Sequence, residues 1–159
     1  MGTVFSFDIR DPETPEISAA LGRSVEWLHR VDAVFSTYRS DSDISRIARG
    51  ELSADAADPM VAEVLGLGKT AVLDGEGAFT LQPRGTLDPS AVVKGWAIER
   101  ASDMLRAAGS VNHVVNGGGD VQAVGSAEPG RPWRVAVADP RDRNRVALVL
   151  GAMDRFGVA

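Results

Sequence analysis

The spacing of apolar residues changes at Gly109, and this constrains the fold of the 159-residue chain more than any other feature. Before Gly109, apolar positions mostly recur every three or four residues. Ile17, Leu21, Val25, Leu28, Val31 and Phe35 fall on one helical face, so the spacing predicts a long amphipathic helix from Glu16 to about Phe35. Asp58-Pro59 supplies a capping carboxylate and a proline for the first turn, predicting a helix that runs to about Leu73 and stops at Asp74-Gly75. Leu87-Asp88-Pro89-Ser90 repeats that signal ahead of a helix to about Ala108, and Ile44–Arg49 reads as a short helix closed by Gly50. After Gly109 the period becomes two. His113–Val115, Val121–Val124, Trp133–Val137 and Val146–Leu150 read as strands, with Asn116–Asp120 joining the first pair and Arg141–Arg145 a polar turn before the last. Thr3–Ile9 alternates in the same way at the start. The expectation is one α+β domain, an antiparallel sheet flanked by helices.

Composition narrows the function. The 44% hydrophobic content is enough for a core, and the length suits a single domain. The absence of cysteine excludes disulfides, thiolate metal sites and a thiol nucleophile. Two histidines, His29 and His113, cannot build a multi-histidine metal site within this chain. The 22 acids outnumber the 17 bases, which disfavours a nucleic-acid partner. No apolar run is long enough to span a membrane, and no signal-peptide pattern opens the sequence.

Three segments are candidates for chemistry. The glycine loop Asn116–Asp120 brings backbone amides within reach of an anion, or else is a hairpin turn with a bulge; Gly117 and Gly118 are its central candidates. The helix start at Asp88 offers a positive dipole end suited to phosphate. Asp88 itself would repel a phosphate unless a cation lay between them or it contacted another part of the ligand. Lys94 follows six residues later in a chain with fifteen arginines and only two lysines, Lys69 and Lys94. Alternatively, Asp88 is a helix cap and Lys94 a solvated side chain. Tyr38, the only tyrosine, sits in the polar loop Ser36–Asp43, where it can stack on a planar ring or pack on its own domain. His29 reads as a boundary residue and His113 as structural, so no Ser/His/Asp constellation arises.

Taken in order, several motifs resemble those of the ApbE-type FAD:protein FMN transferases, the flavin transferases formerly called thiamine biosynthesis lipoproteins. They are Met1-Gly2-Thr3, Phe35-Ser36-Thr37-Tyr38 with Ser42-Asp43-Ile44-Ser45, Gly77-Ala78-Phe79-Thr80, Leu87–Ala97, Asn116-Gly117-Gly118-Gly119-Asp120, and Pro132-Trp133-Arg134-Val135 before Asp139-Pro140. The resemblance implies a T-fold-like architecture. It also implies a magnesium-dependent transfer of FMN from FAD to a threonine of a target flavoprotein, with release of AMP. By position, Met1, Tyr38 and Ala78-Phe79-Thr80 match the flavin pocket, and Asp88 and Lys94 match FAD contacts. Ala91 matches the residue whose backbone carbonyl faces the metal. The glycine loop would lie near the ligand or be only a tight hairpin.

The sequence departs from the family pattern in three ways. Thr80 stands where the family usually has aspartate. The stretch from Thr80 to Asp88 is short, where many members carry a helical insertion. The family's later Thr-Ser-Gly and His-Ile-Asp-Pro segments and its carboxylate and threonine metal ligands find no match before Ala159. The expectation is therefore a flavin transferase domain over residues 1–159 without the family's C-terminal metal and base segment, its catalytic residues unassigned. Two other readings share the same site: hydrolysis of FAD to FMN and AMP, and a non-catalytic FAD-binding module. With no lipid-attachment cysteine or leader the chain reads as cytoplasmic, whereas many relatives are exported or membrane-anchored.

Overall fold

In the computed structural model, residues 2–152 and 154–158 are described, apart from the side chains of Arg84, Arg143 and Ala152. Thr14 accepts a hydrogen bond from the Ile17 amide at 3.2 Å and Pro15 occupies the first turn, so helix α1 (Pro15–Phe35) starts where cap and proline coincide. Helix α2 (Asp43–Ala48) is capped by Ser42, and helix α3 (Pro59–Asp74) by Asp58, whose carboxylate accepts from the Met60 amide at 3.0 Å. Helix α4 (Ser90–Ala107) completes the helical part. These limits agree with the sequence expectation to within a residue or two.

The two long helices cross where their side chains are small. Ala20 and Ser24 of α1 and Ala97 and Ala101 of α4 are fully buried. The helices come close enough for Ser24 Oγ to lie 3.3 Å from the Ala101 carbonyl and for Trp27 Nε1 to donate to the Ala97 carbonyl at 3.1 Å. Beside the crossing, Trp96 meets Trp27 and Phe35 edge-on, with ring centroids 5.0 and 5.9 Å away. The Trp96 indole N–H donates to Glu63 of α3 at 2.9 Å, tying the third helix to the pair.

Strands β1 (Phe5–Ile9), β2 (His113–Gly117), β3 (Asp120–Val124) and β7 (Arg155–Val158) form an antiparallel sheet in the order β1-β2-β3-β7. Opposite residues share a face, so Phe7, Val115 and Gln122 point one way, as do Phe5, Gly117 and Asp120. That face takes α1 and α4: Phe5 and Phe7 pack against both clusters of buried core residues, which hold Phe35, Trp96, Ile98 and Leu105. Among the described residues no helix is long and apolar enough to cross a membrane.

The remaining strands differ from expectation. β4 (Ser126–Glu128), β5 (Arg131–Asp139) and β6 (Asp142–Ala152) make a second, three-stranded sheet rather than extending the first. The predicted polar turn at Arg141–Arg145 is displaced. The chain reverses at Pro140-Arg141, where Asp139 pairs with Asp142, and residues 142–145 already belong to β6. Polarity misled the reading because β6 is largely exposed, so its side chains need not alternate.

His113 lies at the seam between α4 and the sheet and is completely buried. Ser102 Oγ is 2.8 Å from Nε2 and Ser110 Oγ 2.9 Å from Nδ1. Ser110 in turn donates to Asp11 Oδ2 at 2.8 Å, alongside the Val111 and Asn112 amides. With the Ser110 proton spent on Asp11, its oxygen accepts from Nδ1–H, leaving Nε2 to accept from Ser102. The imidazole is thereby held neutral, and burial pushes its pKa down to about 4. Burial alone would raise the Asp11 carboxyl, but the hydrogen bonds from Asn112, Ser110 and Val111 hold it below its usual value.

A folded-state pKa below the unfolded one means that the unfolded chain binds the extra proton, so stability is complete above the ordinary histidine value and falls as pH drops through it. Denaturant titrations should show wild type losing about 2 kcal/mol between pH 7 and pH 5 from this residue. His113→Gln, less stable at pH 7, should lack that component; parallel curves for the two proteins would contradict the assignment.

Candidate functional site

Helix α4 begins under Asp88, whose Oδ1 accepts from the Ser90 amide at 3.0 Å and also from the Ser90 hydroxyl. The Val92 and Val93 amides bond back to the Pro89 carbonyl. Unlike α3, which Asp58 caps, α4 has Pro89 at its N-cap and no side-chain cap; the Asp88 carboxylate lies one residue further out, bonded to Ser90, at the dipole end that an external anion would need. One and two-thirds turns on, Lys94 reaches across to the sheet, where its Nζ lies 3.0 Å from Asp120 Oδ1. Neither partner is a free surface group: the side chains are 30% and 14% exposed.

The glycine loop explains how Asp120 gets there. Gly118 and Gly119 have φ of +62° and +105°, so β2 and β3 are joined by a tight two-residue turn in which Gly117 faces Asp120 without a register shift. The hairpin reading of the loop thus holds, but without the expected bulge. The Gly119 amide donates to Asn116 Oδ1 at 3.1 Å within the hairpin, and the Gly118 amide to the Val4 carbonyl at 3.2 Å, tying the turn to the segment ahead of β1. Glycine is needed at 117 and 118 for space as well. A Cβ on Gly117 would sit 2.5 Å from the Phe5 ring and 2.9 Å from Ile98, and one on Gly118 would fall on Thr3 Oγ1.

Between these elements lies a cleft of about 490 Å³, within the range of small-molecule sites. Thr3, Tyr38, Ala91, Lys94 and Asp120 line it, so Tyr38 meets Ala91 and Lys94 of α4, more than fifty positions away in sequence. Tyr38 is 89% exposed and its ring lies beside Gly2, which leaves its face open for stacking rather than packed on the domain. Thr3 also borders an adjoining cavity of about 860 Å³ between β1 and α1, where Gly118 and His29 are found. Asp88 instead lines a smaller hollow with Thr37, next to the cleft wall formed by the same Thr37.

Other expected residues lie elsewhere. Ala78, Phe79 and Thr80 follow α3 and do not line the cleft; Phe79 packs against Gly75, and Thr80 Oγ1 accepts from the Gln82 amide at 3.0 Å. Met1 falls outside the described residues. In the sequence Asp120 stands only as the last residue of the glycine motif, and Thr3 only as the last of Met1-Gly2-Thr3 and the first of the alternating stretch to Ile9. The signal for Asp120 was the lone carboxylate after three glycines, and its partner could not be read from a lysine 26 residues upstream.

A hard divalent cation takes about six oxygen ligands, commonly including carboxylates. Among the described residues no group of three or more acidic or histidine side chains is placed to hold a metal. The cleft's one carboxylate, Asp120, is already paired with Lys94. The Ala91 carbonyl alone is not a magnesium site, so the described residues do not fit that ion by themselves.

Comparison with known proteins gives a consistent result. The sequence profile described as the ApbE family matches residues 1–84 and 80–159. An FAD:protein FMN transferase of Rhodobacter capsulatus is 33% identical over 131 residues, covering 82% of this chain and 22% of that protein. One from Vibrio cholerae is 34% identical over 58 residues, or 36% of the chain and 17% of that protein. The chain thus spans less than a quarter of the length of these relatives. In three dimensions it is similar to the apo flavinyl transferase ApbE of Pseudomonas stutzeri, with a TM-score of 0.78 at 24% identity over 97% of this chain and 63% of that one. The flavin transferase ApbE of Vibrio cholerae gives 0.76 at 20% identity, over 98% and 65%. At these identities the structural likeness establishes the fold.

The hairpin's dependence on glycine can be measured by thermal unfolding. Gly118→Ala places a side chain at positive φ on top of Thr3 and should cost about 1–3 kcal/mol. Gly22→Ala, in α1 with nothing within 4 Å, should stabilise the chain by up to about 1 kcal/mol. A neutral Gly118→Ala would show that the turn relaxes away from Thr3.

Proposed function

The chain belongs to the ApbE family, and from that membership we propose that it carries the FAD-binding part of a flavin transferase, which moves FMN from FAD to a threonine of a target flavoprotein and releases AMP. The observation that carries the reading is the convergence of Tyr38, Ala91 and Lys94 on one cleft. Those three residues come from a loop and a helix more than fifty positions apart, and the cleft has the two things a dinucleotide needs: an open aromatic face and a fixed cation.

In this reading Tyr38 stacks on the isoalloxazine, which contributes roughly 0.5–1.5 kcal/mol beyond burial. Lys94 neutralises charge on the diphosphate. The threonine Oγ attacks the phosphorus on the FMN side. A phosphoester forms, the P–O bond to the AMP phosphate breaks, and the threonine proton leaves to a base. None of the cleft residues is assigned as that base. Magnesium dependence belongs to the proposal through the family, and when bound such a cation supplies neutralisation of charge at the phosphates. The described residues do not assemble its site, so the steps above use the chain's own groups alone.

A second reading, a flavin-binding module without transfer, is favoured by one observation: no carboxylate or histidine cluster for a metal is present among the described residues.

Quenching of FAD fluorescence should reveal saturable binding to the chain. Lys94→Ala should weaken it about tenfold, or ~1.4 kcal/mol. Tyr38→Ala should weaken it by a few-fold while sparing ADP binding, since the ring is assigned to the flavin end. Incubation with FAD, magnesium and an acceptor protein then separates the readings. A covalently fluorescent acceptor with equimolar AMP supports transfer. AMP without labelled acceptor indicates hydrolysis, and binding with neither product leaves the module. An unaltered FAD affinity in Lys94→Ala would remove Lys94 from the site.

A further inference from the structure

The glycine loop was a candidate for cradling an anion with its backbone, yet two of its amides are already used, one by Asn116 within the hairpin and one by the Val4 carbonyl just ahead of β1. We infer that the loop acts through Asp120 instead, a positioning residue that fixes the Lys94 ammonium in the cleft. The inference rests on the flavin-diphosphate reading only for what Lys94 binds.

Three observations carry it. The Lys94 Nζ to Asp120 Oδ1 distance is 3.0 Å, and the two side chains are 30% and 14% exposed, so the pair is not a solvated surface contact of the kind that contributes almost nothing. Asp120 is itself held. It opens β3 directly opposite Gly117, after a turn whose two residues both have positive φ, and the pairing directs its side chain to the helix face of the sheet. Finally, the space beside it is closed. On that same face the position of a Gly117 side chain is taken by the Phe5 ring and Ile98 of α4, so the helix that bears Lys94 and the hairpin that bears Asp120 are pressed together through one contact.

The chemistry explains why such a device is useful. A lysine ammonium is a compact charge on a four-carbon stem, with about 2 kcal/mol of rotamer entropy to lose on ordering. Ordering it against Asp120 before the ligand arrives removes that cost from binding. The chain otherwise writes its positive charge as arginine, with Lys69 the only other lysine, exposed on α3. An ammonium shared between a carboxylate and a phosphate oxygen keeps donors for both, since it has three.

The two-lysine composition makes this directly testable. In protein labelled with ¹³C-lysine, only Lys69 and Lys94 report, and relaxation at Cε measures their order on the picosecond to nanosecond scale. In wild type without ligand, Lys94 should be clearly more ordered than Lys69. Asp120→Asn should make the two alike, and Asp120→Glu should restore part of the difference. Lys94 as mobile as Lys69 in wild type, or undiminished order in Asp120→Asn, overturns the inference; the wild-type comparison needs no variant to fold.

A second arm reads the ligand. FAD affinity should fall five- to tenfold in Asp120→Asn, with recovery in Asp120→Glu. In a Lys94→Ala background the same Asp120→Asn change should have no effect. Unchanged or tighter FAD binding in Asp120→Asn would overturn the role of Asp120, as would an equal loss in the Lys94→Ala background, which marks a merely structural effect. Asp120-dependent order at Lys94 together with no FAD binding by wild type would support the positioning and reject the flavin reading instead.

Discussion

The close crossing of α1 and α4 is the contact on which the rest of the structure depends. Ala20, Ser24, Ala97 and Ala101 leave no bulk between the helices, so Trp27 can bond to the α4 backbone and Trp96 can wedge against Phe35. Burying four small side chains gives little hydrophobic gain by itself. Its value is geometric, because it brings two long helices within reach of one four-stranded sheet, whose Phe5, Phe7 and Val115 then fill the space beneath. The three tryptophan indoles are each satisfied by a named acceptor: Ala97, Glu63 and Val124.

The cleft follows from that packing. α4 is pinned in its middle at the crossing and at its far end by the Ser102–His113–Ser110–Asp11 chain of hydrogen bonds. Its first turn and Lys94 are therefore delivered to a fixed place above the β2–β3 hairpin. The hairpin approaches only because Gly117 lacks a side chain where Phe5 and Ile98 lie. Core packing and site geometry are thus parts of one arrangement. The local charge there is nearly balanced, one ammonium against Asp120, so an incoming anion meets an ordered cation rather than a broad positive field.

Much of the fold was legible because its signals are local. The Asp58 cap with Pro59, and the Asp88-Pro89 pair just ahead of α4, mark helix starts through short-range hydrogen bonds. Alternation marked β1 and β2 because one face of each is more deeply buried than the other. Where neither face is well buried, as in β6, the pattern carries no information and the turn was misplaced. The short strands β4 and β7 were not recognised at all. A three- or four-residue segment is made a strand by its neighbour rather than by its own sequence.

Of the site, the sequence by itself determined the residue types: one tyrosine outside an apolar stripe, one of only two lysines in an arginine-rich chain, an aspartate ahead of a helix start and three successive glycines. It also determined the family, through motifs in a fixed order. Only the tertiary structure decided which of these meet. Tyr38, Ala91 and Lys94 share a cleft, whereas Ala78–Thr80 do not line it, and Asp88 faces the neighbouring hollow. The pairing of Lys94 with Asp120 also belongs to the tertiary level. Capping and turn formation are settled within about four residues of chain, but a 3.0 Å contact between a helix and a hairpin depends on how closely the two can pack. That distance is set by side chains elsewhere, at Phe5, Gly117 and Ile98, which no local pattern connects.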